Sequence, residues 1–441
     1  RDHGMASDDL LLAAGVVTAP HFSERRAALR GSWFQWPNIG RSVVVRFVLR
    51  SAGAPGWLDA MLHAEQRAHG DVLRVAVRWN ETRLKGPMLS VAKWLEHAAV
   101  HYASARFVAK MDDDAYVHAP RLEELLRATL RSSPRPDRIY LGAVSWFNWF
   151  PAIFERSGFG WGYTMASRNG AYCKNVTLAE ARCGGHGCGT CVGPFPFASG
   201  YLAVLSTSLA GEVARSAALA EDVRRLAAAQ AFVTRTGEPQ TKVMEDVWLG
   251  SLLHRGQLAA SRAAAPISYV AISEANDGFL VSDEWGLRAT RSAMVVHIRG
   301  KQLERFLAVH DFMVRSHCAV PLELHCSAGC DAFLTSRERR LAADNSEWGR
   351  HWHAKLNTSG FCAPLDGEAQ LCRLRRPATA EPLHGSRGEG EQQPLELPQC
   401  CRHMACVRPT NLMKRAYSTA NMRRAAELIN ESKRFGVEPT A

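Results

Sequence analysis

The amino-acid sequence predicts an α/β fold on a mixed, mostly parallel sheet, and three observations carry that expectation. Apolar runs of strand length alternate with amphipathic helical stretches from residue 10 to about residue 300, as in successive strand–helix–strand units. The first run, Leu10 to Val17, is apolar without interruption, the pattern of a strand covered on both faces. Where a later strand runs out, Asp112, Asp113 and Asp114 stand together, and open α/β sheets bind ligands at the carboxyl ends of their strands.

The bulk properties narrow the class. With 441 residues, 46% of them hydrophobic, the chain can bury a full core, which excludes a disordered protein. Lys and Arg number 54 against 43 Asp and Glu, a net charge of +11 that suits an acidic glycan, another polyanion or a membrane surface. The arginines are scattered through Ala-rich helical stretches such as 214–235 rather than gathered in one run, so nucleic acid is not an expected partner.

In chain order, Ser23 is placed to cap a helix carrying Arg25, Arg26 and Arg30 that ends near Trp33. Val43 to Leu49 reads as a second strand. Trp57, Leu58, Met61, Leu62 and Glu65 trace a helical stripe stopped at Gly70. Val72 to Val77 is a third strand, and Pro87 to Tyr102 another amphipathic helix. Phe107, Ala109 and Met111 recur at period two, a strand with one covered face; Pro120 then opens a helix bearing Leu122, Leu125 and Leu126. The Asp triplet is therefore expected in a strand-to-helix turn. Three adjacent carboxylates repel unless a hard divalent cation intervenes, and a solvated acidic turn is the plainer alternative.

Arg138 to Val144 is a further strand. The stretch 145–197 interleaves Trp146, Phe147, Trp149, Phe150, Phe154, Phe159, Trp161 and Tyr163 with glycine; such rings can stack on sugar faces or form a satellite apolar cluster. Residues 201–207 form a strand entering a helix, Glu245 and Asp246 open an apolar helix, and 267–272 and 293–298 are late strands, with His297 at the end of one.

The 12 Cys lie only in 173–191 and 318–406, which reads as disulfides in an oxidising compartment. Cys173, Cys183, Cys188 and Cys191 suit two local disulfides, with zinc as the alternative. Acceptor tripeptides for N-glycosylation begin at Asn80, Asn175, Asn357 and Asn430. No stretch approaches the roughly 20 apolar residues of a membrane span; because the chain starts at Arg1, a signal or anchor is expected to precede it. The alternation divides the chain into a domain at 1–309, with a Cys-containing insert at about 155–192, and a Cys-rich extension at 310–441 containing a low-complexity linker near 375–399 and a last helix near 422–433.

These pieces, in this order, resemble the β-1,3-galactosyltransferase family of Golgi UDP-sugar glycosyltransferases, which includes β-1,3-N-acetylglucosaminyltransferases and is related to fringe. Residues 25–33 (RRAALRGSW) look like its opening motif, Glu65 with Gly70-Asp71 and then Lys85 like its next landmarks, residues 110–117 (KMDDDAYV) like its metal-binding motif, and residues 196–200 (PFASG) with Glu245-Asp246-Val247 like its last two. Two departures stand out: Tyr201-Leu202-Ala203 follows the Ala-Ser-Gly landmark where the family has a second Gly and an aromatic, and the insert is longer and richer in Cys.

The resemblance implies a single nucleotide-binding, Rossmann-like glycosyltransferase domain of A-type. It implies inverting transfer of a hexose, galactose as first choice, from a UDP-sugar to a hydroxyl of a glycan or glycoprotein. It further implies Mn²⁺ held by Asp114, with Asp112 and His297 as additional ligands; a structural role for His297 is equally open. Asp112 and Asp113 lie nearer the ribose. Asp246 is the implied base, Glu245 orients it or binds acceptor, and Arg26, Arg30 and Lys85 position UDP. The implied site of action is the Golgi lumen, as a type II membrane protein. UDP-N-acetylglucosamine as donor and a catalytically inactive glycan-binding protein are the alternatives; phosphoryl transfer is disfavoured because no Walker-type loop is present.

Overall fold

The first apolar run forms β1 (Leu12–Thr18), the strand around which the sheet grows. The computed structural model describes residues 10–83, 85–133, 135–149, 163–165, 192–228, 245–259, 267–272, 280–282, 293–298, 303–315, 323–327 and 371–375. After β1 come α1 (Ser23–Arg30), a 3-10 turn (Trp33–Gln35), β2 (Val43–Ala52), α2 (Gly56–His69), β3 (Val72–Arg78), α3 (Lys85–His101), β4 (Phe107–Asp112), β5 (Ala115–Val117) and α4 (Ala119–Ser132). The second half contributes β6 (Ile139–Trp149), β7 (Tyr163–Met165), β8 (Val192–Ser206), α5 (Thr207–Ala214), α6 (Ala217–Ala228), α7 (Glu245–Ala259), β9 (Ser268–Ala271), β10 (Leu280–Ser282), β11 (Val295–His297), α8 (Leu303–Arg315), β12 (Glu323–Ser327) and β13 (Leu371–Arg375).

The main sheet has the order β12-β13-β9-β6-β8-β4-β1-β2-β3, with β7 paired to β6. Strands β3, β2, β1 and β4 are parallel, as expected of strands joined through helices. Strand β8 runs antiparallel between β4 and β6, and β9 is parallel to β6. The expected mixed, mostly parallel α/β sheet is present.

Alternate residues of the central strands feed two apolar layers. Leu12, Ala14 and Val16 enter one cluster with Phe107, Ala109 and Met111, whereas Ala13 and Val108 enter the other with Trp94 and Trp248. Strand β4 is thus buried on both faces, not the one that period-two spacing suggested: Val108 is as apolar and as buried as its neighbours. Helix α3 lies directly on β1, where a Cβ at Gly15 would strike the Trp94 ring, and Trp94 Nε1 donates to the Ala109 carbonyl at 2.8 Å. Gly70 closes α2 in the left-handed region at φ 66°, where a side chain would be strained.

Several local expectations are corrected. Phe22, not Ser23, is the residue before α1, and no side chain caps that helix. The Asp triplet does not lead straight into a helix, because β5 intervenes and joins β11 and β10 in a small second sheet. The segment beyond residue 310 is not wholly separate: β13 pairs in parallel with β9, and β12 pairs with β13, so the sheet continues across the expected boundary. Cys326 and Cys372 lie in these two strands. The other ten Cys, the aromatic residues 150–161, the linker, the last helix and the acceptor sites at Asn175, Asn357 and Asn430 lie outside the described residues; Asn80 is exposed in the turn after β3. Among the described residues, no helix is long and apolar enough to cross a membrane.

An ion-pair network ties α1 to the elements beside it. Arg26, fully buried, donates to both oxygens of Glu65 on α2 at 2.8 and 2.6 Å and to the carbonyls of Ala19 and Pro20 at 2.8 and 3.2 Å. Arg30 grips Asp71, at the entry to β3, through two bonds of 2.8 and 2.7 Å and lies 2.8 Å from Glu65. The matched forks satisfy charges that burial alone would penalise. Arg26→Leu should strand Glu65 and lower unfolding free energy by about 3–5 kcal/mol, measured by chemical denaturation; a variant as stable as the parent would refute this role.

Candidate active site

The acidic crevice forms where β1 and β4 end side by side. Their parallel register sets Val17 against Asp112, so Thr18, one residue on, lies beside Asp113. Thr18 Oγ1 donates to Asp113 Oδ2 and Arg25 Nη1 to Asp113 Oδ1, each at 2.5 Å. Burial pushes the Asp113 carboxyl up, and Arg25 with Thr18 opposes it. Asp113 is thereby anchored to the β1–α1 corner.

Asp114 faces the other way. Strand β5 pairs antiparallel with β11, setting His297 opposite Ala115, and Ile298 N–H donates to the Asp114 carbonyl at 2.8 Å. His297 Nε2 lies 3.6 Å from Asp114 Oδ2, and the Tyr201 ring packs on the imidazole with centroids 4.3 Å apart. Burial disfavours the Asp114 charge, but the hydrogen bond and charge of His297, with Arg25 and Lys110, outweigh it and leave the carboxyl below its ordinary value. Asp114 Oδ1 is buried with no hydrogen-bond partner among the described residues. A buried, ionised oxygen without a donor is costly, and a divalent cation answers that need with oxygen and imidazole ligands.

Asp112 has a different partner. Lys110, 1% exposed although charged, points along the crevice floor and donates to Asp112 Oδ1 at 2.6 Å, Glu245 Oε1 at 2.7 Å and the Gly200 carbonyl at 3.3 Å. Burial works against the ammonium, but Asp112 and Glu245 outweigh it and hold Lys110 above the ordinary lysine value. Burial pushes Asp112 up against that pull. The expected triple of Asp112, Asp114 and His297 is therefore not gathered: the structure brings Asp114 and His297 together and turns Asp112 onto Lys110. Among the described residues, no set of three or more His, Cys, Asp and Glu side chains stands ready to hold a metal alone.

Glu245 and Asp246 open α7 on the far side of Lys110. Asp246 Oδ2 accepts from Gly200 N–H at 3.2 Å and Oδ1 from Val247 N–H at 2.8 Å. Burial and the Glu245 charge push its carboxyl up to about 6, against Lys110, within the range where a carboxylate can act as a base near neutral pH. Gly200 lies between the two acidic sets: a Cβ there would overlap Asp112 Oδ2 and come within 2.9 Å of Lys110 Nζ. Helix α7 approaches β8 equally closely, a Cβ at Gly250 meeting Phe197 Cβ at 2.5 Å.

The remaining expectations divide. Arg26 and Arg30 do not reach into the crevice as diphosphate ligands, because Glu65 and Asp71 occupy their guanidinium groups. Arg25, between them in sequence, is the α1 arginine that meets the triplet. Lys85 is buried at the start of α3. Lys110, Thr18 and Arg25 were absent from the expected site; the one available signal was a charged residue inside the otherwise apolar run of 107–111.

Fold and crevice together define an α/β domain with acidic groups at the carboxyl edge of a mostly parallel sheet. Residues 24–221 match the family model described as Galactosyltransferase. The chain is 32% identical over 137 residues to mouse (Mus musculus) beta-1,3-galactosyltransferase 6, covering 30% of this chain and 40% of the relative. It is 31% identical over 141 residues to Arabidopsis thaliana probable beta-1,3-galactosyltransferase 3, covering 30% and 32%. A human acetylgalactosaminyl-O-glycosyl-glycoprotein beta-1,3-N-acetylglucosaminyltransferase is 31% identical over 169 residues, covering 34% and 41%. The matches thus span well under half of each relative. A crystal structure of an active-site mutant of LgtC aligns over 68% of this chain and 95% of its own at 11% identity and a TM-score of 0.33, too slight a likeness to bear on function.

Gly200→Ala should damage the crevice more than the fold. Its methyl must displace Asp112 or the Lys110 head group, so melting should change by only a few degrees, about 1 kcal/mol in a domain of this size. Under the sugar-transfer activity proposed for this crevice, donor affinity or the transfer rate should fall by about tenfold or more, the loss expected of a displaced polar contact; calorimetry and product assays check both.

Proposed function

We propose that this domain transfers a hexosyl group from a UDP-sugar to a hydroxyl of a glycan or glycoprotein, with inversion and formation of a β-1,3 linkage. UDP-galactose is the first choice of donor. The observation that carries the reading is that two acidic groups with different needs stand at this one sheet edge. Asp114 has an unsatisfied buried oxygen beside His297; Asp246 is a raised carboxyl at a helix start. The family-model match and the activities of the similar proteins support the chemical class.

Asp114 and His297 are the residues that would hold a divalent cation, Mn²⁺ as first choice. Such a cation, when bound, neutralises charge developing on a diphosphate leaving group. The α7 start does the rest of the chemistry. Asp246, held by two backbone N–H groups, accepts the proton of the acceptor hydroxyl as its oxygen attacks C1 of the donor sugar. The C1–O bond to UDP breaks on the opposite face, its electron pair leaving with the diphosphate. Asp113, fixed by Thr18 and Arg25, shapes the donor side. In this reading the enzyme works in the Golgi lumen behind an N-terminal membrane anchor, consistent with the exposed acceptor tripeptide at Asn80.

UDP release across a panel of UDP-sugars, with and without Mn²⁺ and acceptor, tests the whole reading. UDP-galactose should give acceptor-dependent turnover; preference for UDP-N-acetylglucosamine would favour the activity named for the human relative, and no turnover with any donor would favour a glycan-binding protein. Asp246→Asn should lower kcat by about 10²- to 10⁴-fold and leave UDP binding intact. Because the base must be ionised, kcat/KM should fall as pH drops below about 6; a flat acid limb would remove Asp246 from the role. Asp114→Ala should abolish the Mn²⁺ dependence of UDP affinity, and persistence of that dependence would put the cation elsewhere.

A further inference from the structure

Lys110, with Asp112 and Glu245 around it, stands in the crevice without a part in the proposed chemistry. A lysine is almost never fully buried without partners, and desolvating its ammonium costs several kcal/mol. Here the cost is met by three acceptors from three separate elements: Asp112 at the end of β4, the Gly200 carbonyl on β8 and Glu245 at the first turn of α7. Two of those neighbours touch the proposed base directly. Gly200 accepts from Lys110 through its carbonyl and donates to Asp246 through its N–H, and Glu245 precedes Asp246 on the helix.

We propose that Lys110 is a positioning residue that locks the start of α7 onto β4 and β8 and so fixes where Asp246 meets the acceptor, with Glu245 serving as its anchor rather than as an acceptor ligand. This rests on the assignment of Asp246 as base. The geometry leaves little slack. Glu245 Oε1 is engaged at 2.7 Å, only 13% of the Glu245 side chain is exposed, and Gly200 cannot carry a Cβ without striking the lysine and Asp112. Helix α7 has a Gly–Phe contact with β8 at Gly250, near mid-helix; its first turn is held to the sheet by the Lys110 contacts and the Gly200 N–H. The charged and titratable groups facing Asp246 are Glu245 on its own helix, Lys110 on β4 and Tyr140 on β6.

Lys110→Met keeps the length and apolar stem while removing the charge. In the full chain it should lower kcat by about 100-fold, the cost of an ångström-scale misplacement, and leave UDP affinity with Mn²⁺ within about threefold, as expected for a group outside the donor contacts. The acid limb of kcat/KM should move to higher pH, since Lys110 no longer favours the ionised Asp246. Glu245→Gln added to Lys110→Met should cause little further loss, because the two act as one unit. That double variant also removes both charges of the pair, so it remains testable if the single variant, with Glu245 stranded, fails to fold. An unchanged kcat and acid limb in folded Lys110→Met would overturn the proposal. So would a kcat loss matched by an equal loss of UDP affinity, or additive effects of the two substitutions. Asp246→Asn retaining full activity would instead sink the base assignment on which the inference rests, a separate outcome read from a separate protein.

Discussion

Backbone pairing along β4 determines where every charged group in the crevice can be. The strand is held by β1 on one side and by the reversed β8 on the other, so its last residues leave the sheet where these two ladders end. From that point the triplet divides by direction: Asp112 to the floor, Asp113 to the β1–α1 corner and Asp114 to β11. Neighbours in sequence acquire three different environments because the pleat and the turn send successive side chains to different places. What reads as a block of negative charge is, in the fold, three carboxylates with separate neighbours: Lys110 for Asp112, Arg25 with Thr18 for Asp113, and His297 for Asp114.

Reversal of β8 has a second effect. Running antiparallel to β4, β8 carries Gly200 just beyond the carboxyl end of β4 while it still lies beside the middle of β6. One residue, Gly200, can then serve Lys110 through its carbonyl oxygen and Asp246 through its N–H. Backbone groups are rigid and cannot be titrated, which makes them better spacers between two acidic sets than a side chain would be.

Much of the frame was legible in the sequence because it depends on periodicity and helix stops. The strands from Leu12 to Phe107, the stop at Gly70 and the helix opened by Pro120 all follow from spacing alone. The proximity of Asp246 to Gly200, and of His297 to Asp114, was accessible only through resemblance. Pairings across 46 and 183 positions depend on register, which no local pattern encodes. The arginines of α1 illustrate the limit. Arg25, Arg26 and Arg30 are alike as residues, yet a helical turn of about 100° per residue sends Arg25 to the triplet and the other two to Glu65 and Asp71. The resemblance implied that Arg26 and Arg30 position UDP; the face of the helix gives them carboxylate partners instead. Lys110 was passed over because a lysine in an apolar run looks like an interruption, and its three partners come from elements far along the chain.

The pairing of β13 with β9 decides where the main sheet ends. Strand β9 is parallel to β6 and, without β13, would end the sheet as an open row of N–H and C=O groups in the segment Ser268–Ala271. Such rows recruit other chains. Residues 371–375, more than sixty positions beyond the last strand of the small sheet, close that row, and β12 covers β13 in turn. The far part of the chain thereby lengthens the sheet by two strands and moves its edge from β9 to β12.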